Sequence, residues 1–229
     1  MKFTAMSDLH GNLIDIEPCD TLLLCGDISP LNIQRDYIQM TKWFFNDFYK
    51  WIMNLPCDRV IMTPGNHDFW FEKFIHEPTT YLWDKLTILI DGEANIYSSN
   101  DNRWYKIYAT PQCKTFGNWA YMPGDSVLNL YYKDIPEDVD ILMSHDAPDL
   151  GEIGYIHYDE PLDNGESKIP AHNYTLGKEI RKKNPKYVLC GHIHSGDHEL
   201  KEVEGIKCAN VSVLDESYNL CYKPLTFEI

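Results

Sequence analysis

Residues 59–68 read RVIMTPGNHD, and the rest of the chain repeats the pattern of this stretch. A mostly apolar run stops at a proline and a glycine, and an amide, an imidazole and a carboxylate follow directly. Short apolar runs bounded by turn residues are typical of strands that are buried on both faces of a sheet. The stretch therefore predicts a buried strand with polar, ligand-binding side chains just beyond its carboxyl end.

Further apolar runs of the same form each stop at polar or glycine-containing residues. They span residues 3–6, 21–25, 107–109, 141–143 and 187–190. Each run is predicted to be a buried strand. Residues 206–213 and 225–229 are predicted to be closing strands of the same fold.

Two segments between the strands have the periodicity of amphipathic helices. Residues 34–55 and 173–184 carry apolar side chains at three- and four-residue steps, and Asn173 is a candidate N-cap. Strands that alternate with helices favour a sheet covered by helices, and we expect one α/β domain over residues 1–229. The longest predicted loop, residues 151–172, is rich in Gly, Pro and acidic residues and is expected to be functional.

Composition and charge exclude several classes of protein. The 229 residues are 44% hydrophobic and 24% charged, which is enough for a full core and excludes intrinsic disorder. A net charge of −15 repels phosphate backbones and anionic lipids, so neither duplex nucleic acid nor a membrane is an expected partner. Seven cysteines without a Cys-x-x-Cys pair, and no apolar window of membrane length, predict a reduced, cytoplasmic protein.

Carboxylate, amide and imidazole side chains recur where the predicted strands end. These candidate metal ligands are Asp8, His10, Asp27, Asn66, His145, His192 and His194. If strand geometry continues through Asp8-Leu9-His10 and His192-Ile193-His194, the outer side chains of each triplet point to the same side. A donor set without thiolate suits Mn²⁺ above all, with iron, zinc or nickel as alternatives. Since seven donors exceed the needs of one ion, the set predicts two divalent ions that share a carboxylate.

The ordered motifs resemble those of the calcineurin-like metallophosphoesterases, whose signature is D-x-H, G-D, G-N-H-[DE], an isolated His after a strand, and G-H-x-H. The matching residues are Asp8-Leu9-His10, Gly26-Asp27, Gly65-Asn66-His67-Asp68, His145 and Gly191-His192-Ile193-His194. The resemblance implies an α/β fold that is a four-layer sandwich of two mixed β-sheets flanked by α-helices. It also implies a binuclear metal centre that hydrolyses phosphoesters.

The resemblance assigns a role to each motif residue. One ion is expected on Asp8, His10, Asp27 and His194, and the other on Asp27, Asn66, His145 and His192. A hydroxide between the ions would be the nucleophile. His67 would protonate the leaving oxygen or stabilise charge on the phosphoryl group, and Asp68 would orient nearby groups.

Departures from related patterns narrow the expected activity. After Gly26-Asp27 the chain reads Ile28-Ser29-Pro30, without the Arg and Asp of phosphoprotein phosphatases or the Tyr of purple acid phosphatases. Trp119 and the motif His145-Asp146-Ala147-Pro148 look most like the small metallophosphatase-domain phosphoesterases that favour phosphodiesters. Asp146 departs from them, since Gly is common at that position.

Aromatic residues in two predicted loops are candidates for substrate binding. Phe116 and Trp119 in residues 111–127, and Tyr155 in residues 151–172, either pack beneath their loops or form a rim for a nucleobase or aryl group. None of the four arginines lies beside a motif, so a phosphodiester is preferred over a dianionic monoester. The expected partner is a small phosphoester, with a nucleotide-like molecule as one candidate. A non-catalytic metal-binding scaffold and a nuclease of the same superfamily remain the alternatives.

Four histidines lie outside the motifs. They are His76, His157, His172 and His198. Each is expected at the surface or as a support behind the ligands, not as a ligand itself. The sequence leaves the oligomeric state open.

Overall fold

Two six-stranded sheets form the centre of the fold in the computed structural model, which describes residues 1–74, 79–158, 160–163 and 165–229. The strands are β1 (Lys2–Met6), β2 (Cys19–Cys25), β3 (Cys57–Thr63), β4 (Thr79–Trp83), β5 (Leu86–Ile90), β6 (Gly92–Ser98), β7 (Arg103–Thr110), β8 (Ile141–Ser144), β9 (Tyr155–His157), β10 (Lys168–Pro170), β11 (Tyr187–Cys190), β12 (Lys201–Val203), β13 (Ile206–Asn210) and β14 (Leu225–Glu228). The first sheet has the order β14-β1-β2-β3-β5-β4 and the second has the order β12-β13-β11-β8-β7-β6.

The two sheets are both mixed, in the same way. In each, the four central strands are parallel to one another and the two outermost strands run antiparallel to their neighbours. The carboxyl ends of all parallel strands in a sheet therefore lie at one edge, where ligands bind in sheets of this kind.

Side chains of the central strands are buried on both faces. In β2, Leu23 and Cys25 face the core between the sheets, whereas Leu22 and Leu24 face the helices that cover the first sheet. This arrangement explains why the strand sequences are continuous apolar runs without polar alternation. Helices cover the outer face of the second sheet as well, so the four-layer prediction is confirmed.

The helices are short. They are α1 (Tyr37–Trp43), a π-helical segment (Phe44–Phe48), α2 (Tyr49–Asn54), α3 (Phe69–Phe74), α4 (Asp125–Lys133) and α5 (Tyr174–Lys183). The helix predicted over residues 173–184 is confirmed, since the Asn173 side chain accepts a hydrogen bond from the Leu176 backbone N–H at 3.0 Å. The boundary at residue 34 was wrong: Asp36 is the N-cap, and its carboxylate accepts hydrogen bonds from two backbone N–H groups of α1.

Other boundaries differ from the sequence predictions for physical reasons. The strand predicted over residues 206–213 ends at Asn210, and the loop predicted over residues 151–172 contains the paired strands β9 and β10. Strands β4–β6 and helices α3 and α4 were not predicted. Strand β6 has few buried residues and so lacks a continuous apolar run.

None of the helices within the described ranges is both long enough and apolar enough to span a bilayer.

Candidate metal centre

The seven predicted ligands come together at one edge of the sandwich, where the carboxyl ends of the parallel strands of both sheets meet. Strands β1, β2 and β3 of the first sheet and β8 and β11 of the second each lead into a motif. Ser7, after β1, donates its backbone N–H to the Val211 carbonyl at 2.8 Å and so joins the two sheets at this edge. Neither sheet alone supplies the whole donor set.

Side-chain donors cluster in three overlapping groups, within each of which the donor atoms lie within 4.8 Å of one another. The groups are Asp8–His10–His194, Asp8–Asp27–His145 and His10–Asp27–His67. Asn66 joins them through its Oδ1, which is 2.9 Å from His145 Nε2. The His192 ring lies 5.2 Å from the His145 ring, centroid to centroid. Asp8, His10 and Asp27 each belong to two of the three groups, so the groups form one connected set of donors.

Left-handed backbone turns, and not strand alternation, direct these side chains. Asp8, His10, Asp27 and His192 have φ values of 57°, 43°, 53° and 69°. Strand geometry, on which the sequence argument for Asp8-Leu9-His10 was conditional, does not extend through this triplet, although both side chains do converge. Non-glycine residues with left-handed φ are uncommon and cluster at functional sites, where the surrounding structure maintains the strain.

Two motif glycines are required by close approach. A Cβ on Gly65 would lie 2.3 Å from Asp27 Oδ1, and a Cβ on Gly191 would lie 2.4 Å from Asp8 Oδ2. Both carboxylates thus pass directly over the backbone of another motif. Any side chain at these positions would displace a candidate ligand.

Backbone carbonyls orient two of the histidines. His145 Nδ1 lies 2.9 Å from the Cys25 carbonyl oxygen, and His194 Nδ1 lies 3.0 Å from that of Asp215. Each Nδ1–H therefore donates to a carbonyl. Each Nε2 faces a carboxylate, at 3.3 Å from Asp27 and 3.4 Å from Asp8. Metal-binding histidines are typically held in this way, with the second nitrogen presented to the ion.

His10 provides the test of whether these residues fit a metal. Its Nδ1 and Nε2 are both buried, and neither has a hydrogen-bond partner within the described residues. A buried polar atom without a partner is costly, and a divalent cation would supply the missing interaction. The nitrogen and oxygen donors around it suit a transition metal such as Mn²⁺, iron or zinc. The residues present therefore fit a divalent metal ion.

The pKa values of the carboxylates and imidazoles at the centre also favour a bound cation. Burial raises the pKa of Asp27, but the imidazoles of His145, His67 and His10 outweigh burial and hold the pKa below its usual range. Burial lowers the pKa of His145, yet Asp27 and Asp8 raise it to about 10. Asp27 and Asp8 thus favour the protonated form of His145, whose positive charge a cation would replace.

His67 is held by two contacts that fix its orientation. Its Nδ1 lies 2.6 Å from Gln34 Oε1, and the Gln34 amide donates to the Leu31 carbonyl at 3.0 Å. The Trp119 ring packs against the imidazole at a centroid separation of 4.4 Å. Since Gln34 accepts the Nδ1–H, Nε2 faces the centre, 3.9 Å from Asp27. Gln34 was not predicted, because it lies in a loop that carries no motif.

A cavity of about 210 Å³ opens onto the centre. Its lining residues are Asp27, Asn66, His67, Phe116, Trp119, His192, His194, Glu216 and Tyr218. Phe116 and Trp119 thus line the cavity at the metal centre, as the predicted aromatic rim requires. Tyr155 does not line this cavity. It lines a separate cavity with Lys168 and Pro170.

Glu216 and Tyr218 were not recognised from the sequence. They lie on the turn of residues 215–219, between Leu214 and Leu220, which pair as an antiparallel bridge. The polar run from Asp215 to Asn219 signals a turn, but nothing in it indicates that the turn covers the metal centre. The fold brings it there because it follows β13, whose carboxyl end lies at the same edge.

Arg35 and Asp146 lie close to the site without lining the cavity. The Arg35 guanidinium lies 5.2 Å from the Trp119 ring. Trp119 lines the cavity, but Arg35 does not. Asp146 is buried, and its Oδ2 accepts hydrogen bonds from the Lys114 backbone at 2.8 Å and from Asn173 Nδ2 at 2.7 Å. Asp146 thus ties the loop that carries Phe116 to the start of α5.

The histidines outside the motifs lie beside the centre or away from it. His198 Nε2 is 3.0 Å from the His194 carbonyl, and its ring stacks on Tyr222. His172 lies beside Asp149, and His157 lies beside Glu152. His76 lies outside the described residues.

Relatives with known names agree with the motifs. The chain is 24% identical over 220 residues to metallophosphoesterase domain-containing protein 1 of Homo sapiens and of Mus musculus, covering 85% of this chain and 61% of theirs. The chain therefore spans about three fifths of the length of these curated relatives. The crystal structure of phosphopantetheinyl hydrolase (PptH) from Mycobacterium tuberculosis has a TM-score of 0.55 at 13% identity, covering 95% of this chain and 90% of that one, and shares the fold.

The family model for the calcineurin-like phosphoesterases matches residues 1–196, which contain all the motifs. This span includes both sheets' contributions to the metal centre, from Asp8 to His194. The chain belongs to the calcineurin-like phosphoesterase family.

Proposed function

We propose that the chain is a metal-dependent phosphoesterase that hydrolyses small phosphodiesters in preference to phosphomonoesters. The observation that carries the proposal is the convergence of the seven candidate ligands at one edge of the sandwich, among them a buried imidazole, His10, whose two ring nitrogens have no hydrogen-bond partner within the described residues. In a fold that does not bind metal, such a donor set would have no structural reason.

Two divalent ions are proposed, with Mn²⁺ as the first choice. Asp8, His10, Asp27 and His194 would hold one ion, and Asp27, Asn66, His145 and His192 would hold the other. When bound, such a pair supplies Lewis-acid activation of a phosphoester and of water. The protein's contribution is to fix the donors in advance, through the left-handed turns and the carbonyl contacts of His145 and His194.

His67 is proposed as the acid that delivers a proton to the leaving oxygen. Its Nε2 faces the cavity while Gln34 holds Nδ1, so the transferable proton would be carried on Nε2. Burial lowers the pKa of His67, although the neighbouring Asp27 opposes that effect. A lowered pKa makes the imidazolium a stronger acid.

The preference for diesters rests on the charge of the cavity lining. The described lining residues include the carboxylates of Asp27 and Glu216 but no lysine or arginine. A dianionic monoester would need more neutralisation than such a lining offers, whereas a monoanionic diester needs less. Phe116 and Trp119 would contact the organic group of the ester.

The experiment that tests this function compares two chromogenic substrates on manganese-reconstituted protein. We expect kcat/KM to be higher for bis-p-nitrophenyl phosphate than for p-nitrophenyl phosphate. Equal or reversed selectivity would indicate a phosphomonoesterase at the same metal centre. Absence of turnover of both, with metal bound, would favour the alternative of a non-catalytic scaffold.

Two features bear on partners and location. The net charge of −15 disfavours the nuclease alternative, because duplex DNA is repelled unless a basic surface offsets the charge. All seven cysteines carry free thiols, and we infer a reducing, cytoplasmic environment from them.

A further inference from the structure

Glu216 is an acidic side chain in the lining of a cavity that has to receive an anionic phosphoester. Within the described residues, Glu216 belongs to none of the three donor groups at the metal centre. A carboxylate at this place weakens the binding of an anion unless the substrate brings a compensating positive charge. The metal centre does not account for this residue.

Within the described residues, only one of the two Glu216 carboxylate oxygens accepts hydrogen bonds. Ser195 donates both its backbone N–H, at 3.0 Å, and its hydroxyl, at 2.8 Å, to Glu216 Oε1. Both bonds use the same oxygen, and within the described residues Oε2 accepts no hydrogen bond. Since Ser195 directly follows His194, these hydrogen bonds attach the Glu216 carboxylate to the segment that carries a candidate ligand.

Tyr218 places an aromatic ring beside this carboxylate. Its ring contacts His10 and His194 edge-on, at centroid separations of 5.0 and 5.2 Å, and 42% of the residue is exposed. The turn that carries it is rigid, because the Asp215 carboxylate accepts hydrogen bonds from the backbone N–H groups of Ser217 and Asn219, both at 2.9 Å. A carboxylate next to an exposed aromatic ring is the chemistry that recognises an ammonium group.

We propose that Glu216 and Tyr218 form a subsite for an ammonium group on the organic part of the substrate, so that the preferred phosphoester is zwitterionic. The phosphoryl group would lie at the metal centre, and a short chain would carry the ammonium group to Glu216 Oε2 and the Tyr218 ring. The cavity of about 210 Å³ suits a short chain of this kind. The acidic surface as a whole also attracts a cationic group more than a neutral one.

This inference rests on the proposed function, and the test uses ligands that cannot be hydrolysed. Dissociation constants of (2-aminoethyl)(methyl)phosphinate and ethyl(methyl)phosphinate are measured by calorimetry on manganese-loaded protein. Both are monoanionic analogues of a phosphodiester without a P–O–C bond to hydrolyse, and they differ only in the amino group. We expect the amino compound to bind about tenfold more tightly to the wild type, as a charge-assisted hydrogen bond would give. Glu216→Gln should abolish the difference, since Gln can still accept from Ser195 but carries no charge.

Two further variants complete the design. Glu199→Gln removes one exposed negative charge from a nearby segment outside the cavity lining and should leave the preference intact. Tyr218→Leu should reduce the preference about threefold, through loss of the aromatic face. Elemental analysis should find the same metal content in all of these variants.

Each outcome has a distinct meaning. Equal binding of the two phosphinates by the wild type, or an unchanged preference in Glu216→Gln, would overturn the ammonium subsite and leave the metal centre intact. Loss of metal in Glu216→Gln would make Glu216 a ligand and would also overturn it. Failure of both phosphinates to bind metal-loaded protein would overturn the proposed function, and the subsite with it.

Discussion

Asp27 is buried and Asp91 is partly buried, each lies near the end of a strand, and both have left-handed backbone conformations. Asp27 faces imidazoles, with His145 at 3.3 Å and His10 at 3.7 Å. Asp91 faces neutral donors, and accepts hydrogen bonds from the Thr110 hydroxyl and from Gln112 Nε2, both at 2.6 Å. Their pKa values move in opposite directions as a result.

The contrast shows that neither burial nor backbone strain is enough to identify a functional carboxylate. Burial raises the pKa of Asp91 to about 6, because the hydrogen bonds from Thr110 and Gln112 only partly compensate. At Asp27 the surrounding imidazoles reverse the effect of burial. The composition of the surroundings, together with His10, both of whose ring nitrogens lack a hydrogen-bond partner within the described residues, distinguishes the metal centre from a structural hydrogen-bond network.

The largest effect is expected for Asp27→Asn. This change removes one charge from a carboxylate proposed to serve both ions, and we expect loss of metal at both positions and a decrease of at least about 10³-fold in kcat/KM. Elemental analysis and steady-state kinetics measure the two effects. Asp91→Asn is the matched control, because it makes the same chemical change and should retain both metal and activity. Full metal occupancy in Asp27→Asn would contradict the shared role.

His67→Gln is expected to separate chemistry from metal binding. The glutamine preserves a polar side chain at the cavity but cannot deliver a proton, so kcat should decrease by about 10²–10⁴-fold while the metal content stays unchanged. The decrease should be greatest for substrates with poor leaving groups, which depend most on protonation. A loss of metal would instead show that His67 is a ligand, as its place in the group His10–Asp27–His67 allows.

A smaller effect is expected for Gln34→Leu. Loss of the hydrogen bond to His67 Nδ1 frees the imidazole to rotate and change tautomer, and we expect kcat to decrease about tenfold with little change in KM. The double variant with His67→Gln tests the mechanism. If Gln34 acts through His67, the double variant is no slower than His67→Gln alone, whereas additive losses would indicate an unrelated structural role.

The smallest effect on activity is expected for Asp91→Asn, which should instead change the pH dependence of stability. Because the pKa of Asp91 is about 6 in the folded protein, above its usual value, folding is favoured when the group is protonated. That contribution is present at low pH and is lost as the pH rises through about 6. We therefore expect the variant to gain about 1–3 kcal/mol in unfolding free energy relative to wild type between pH 4 and pH 7, measured by urea denaturation in the presence of a chelator. An unchanged difference across this range would contradict the raised pKa.

Much of the fold and the donor set was predictable because each depends on local patterns. Buried central strands such as β2 and β11 are continuous apolar runs, and the motifs follow them directly. Gln34, Glu216 and Tyr218 were not predictable, since each lies in a loop that only the tertiary fold brings to the centre. The left-handed turns at Asp8 and His10 were also missed, because their side chains converge in either geometry.

The central claim is that one edge of the sandwich binds two metal ions that share Asp27. The direct measurement is metal stoichiometry on purified wild-type protein that has been stripped with a chelator, reloaded with Mn²⁺ and freed of excess metal. The account predicts about two ions per chain, and none that bind tightly to Asp27→Asn. One ion per chain in the wild type, or two in the variant, would contradict it.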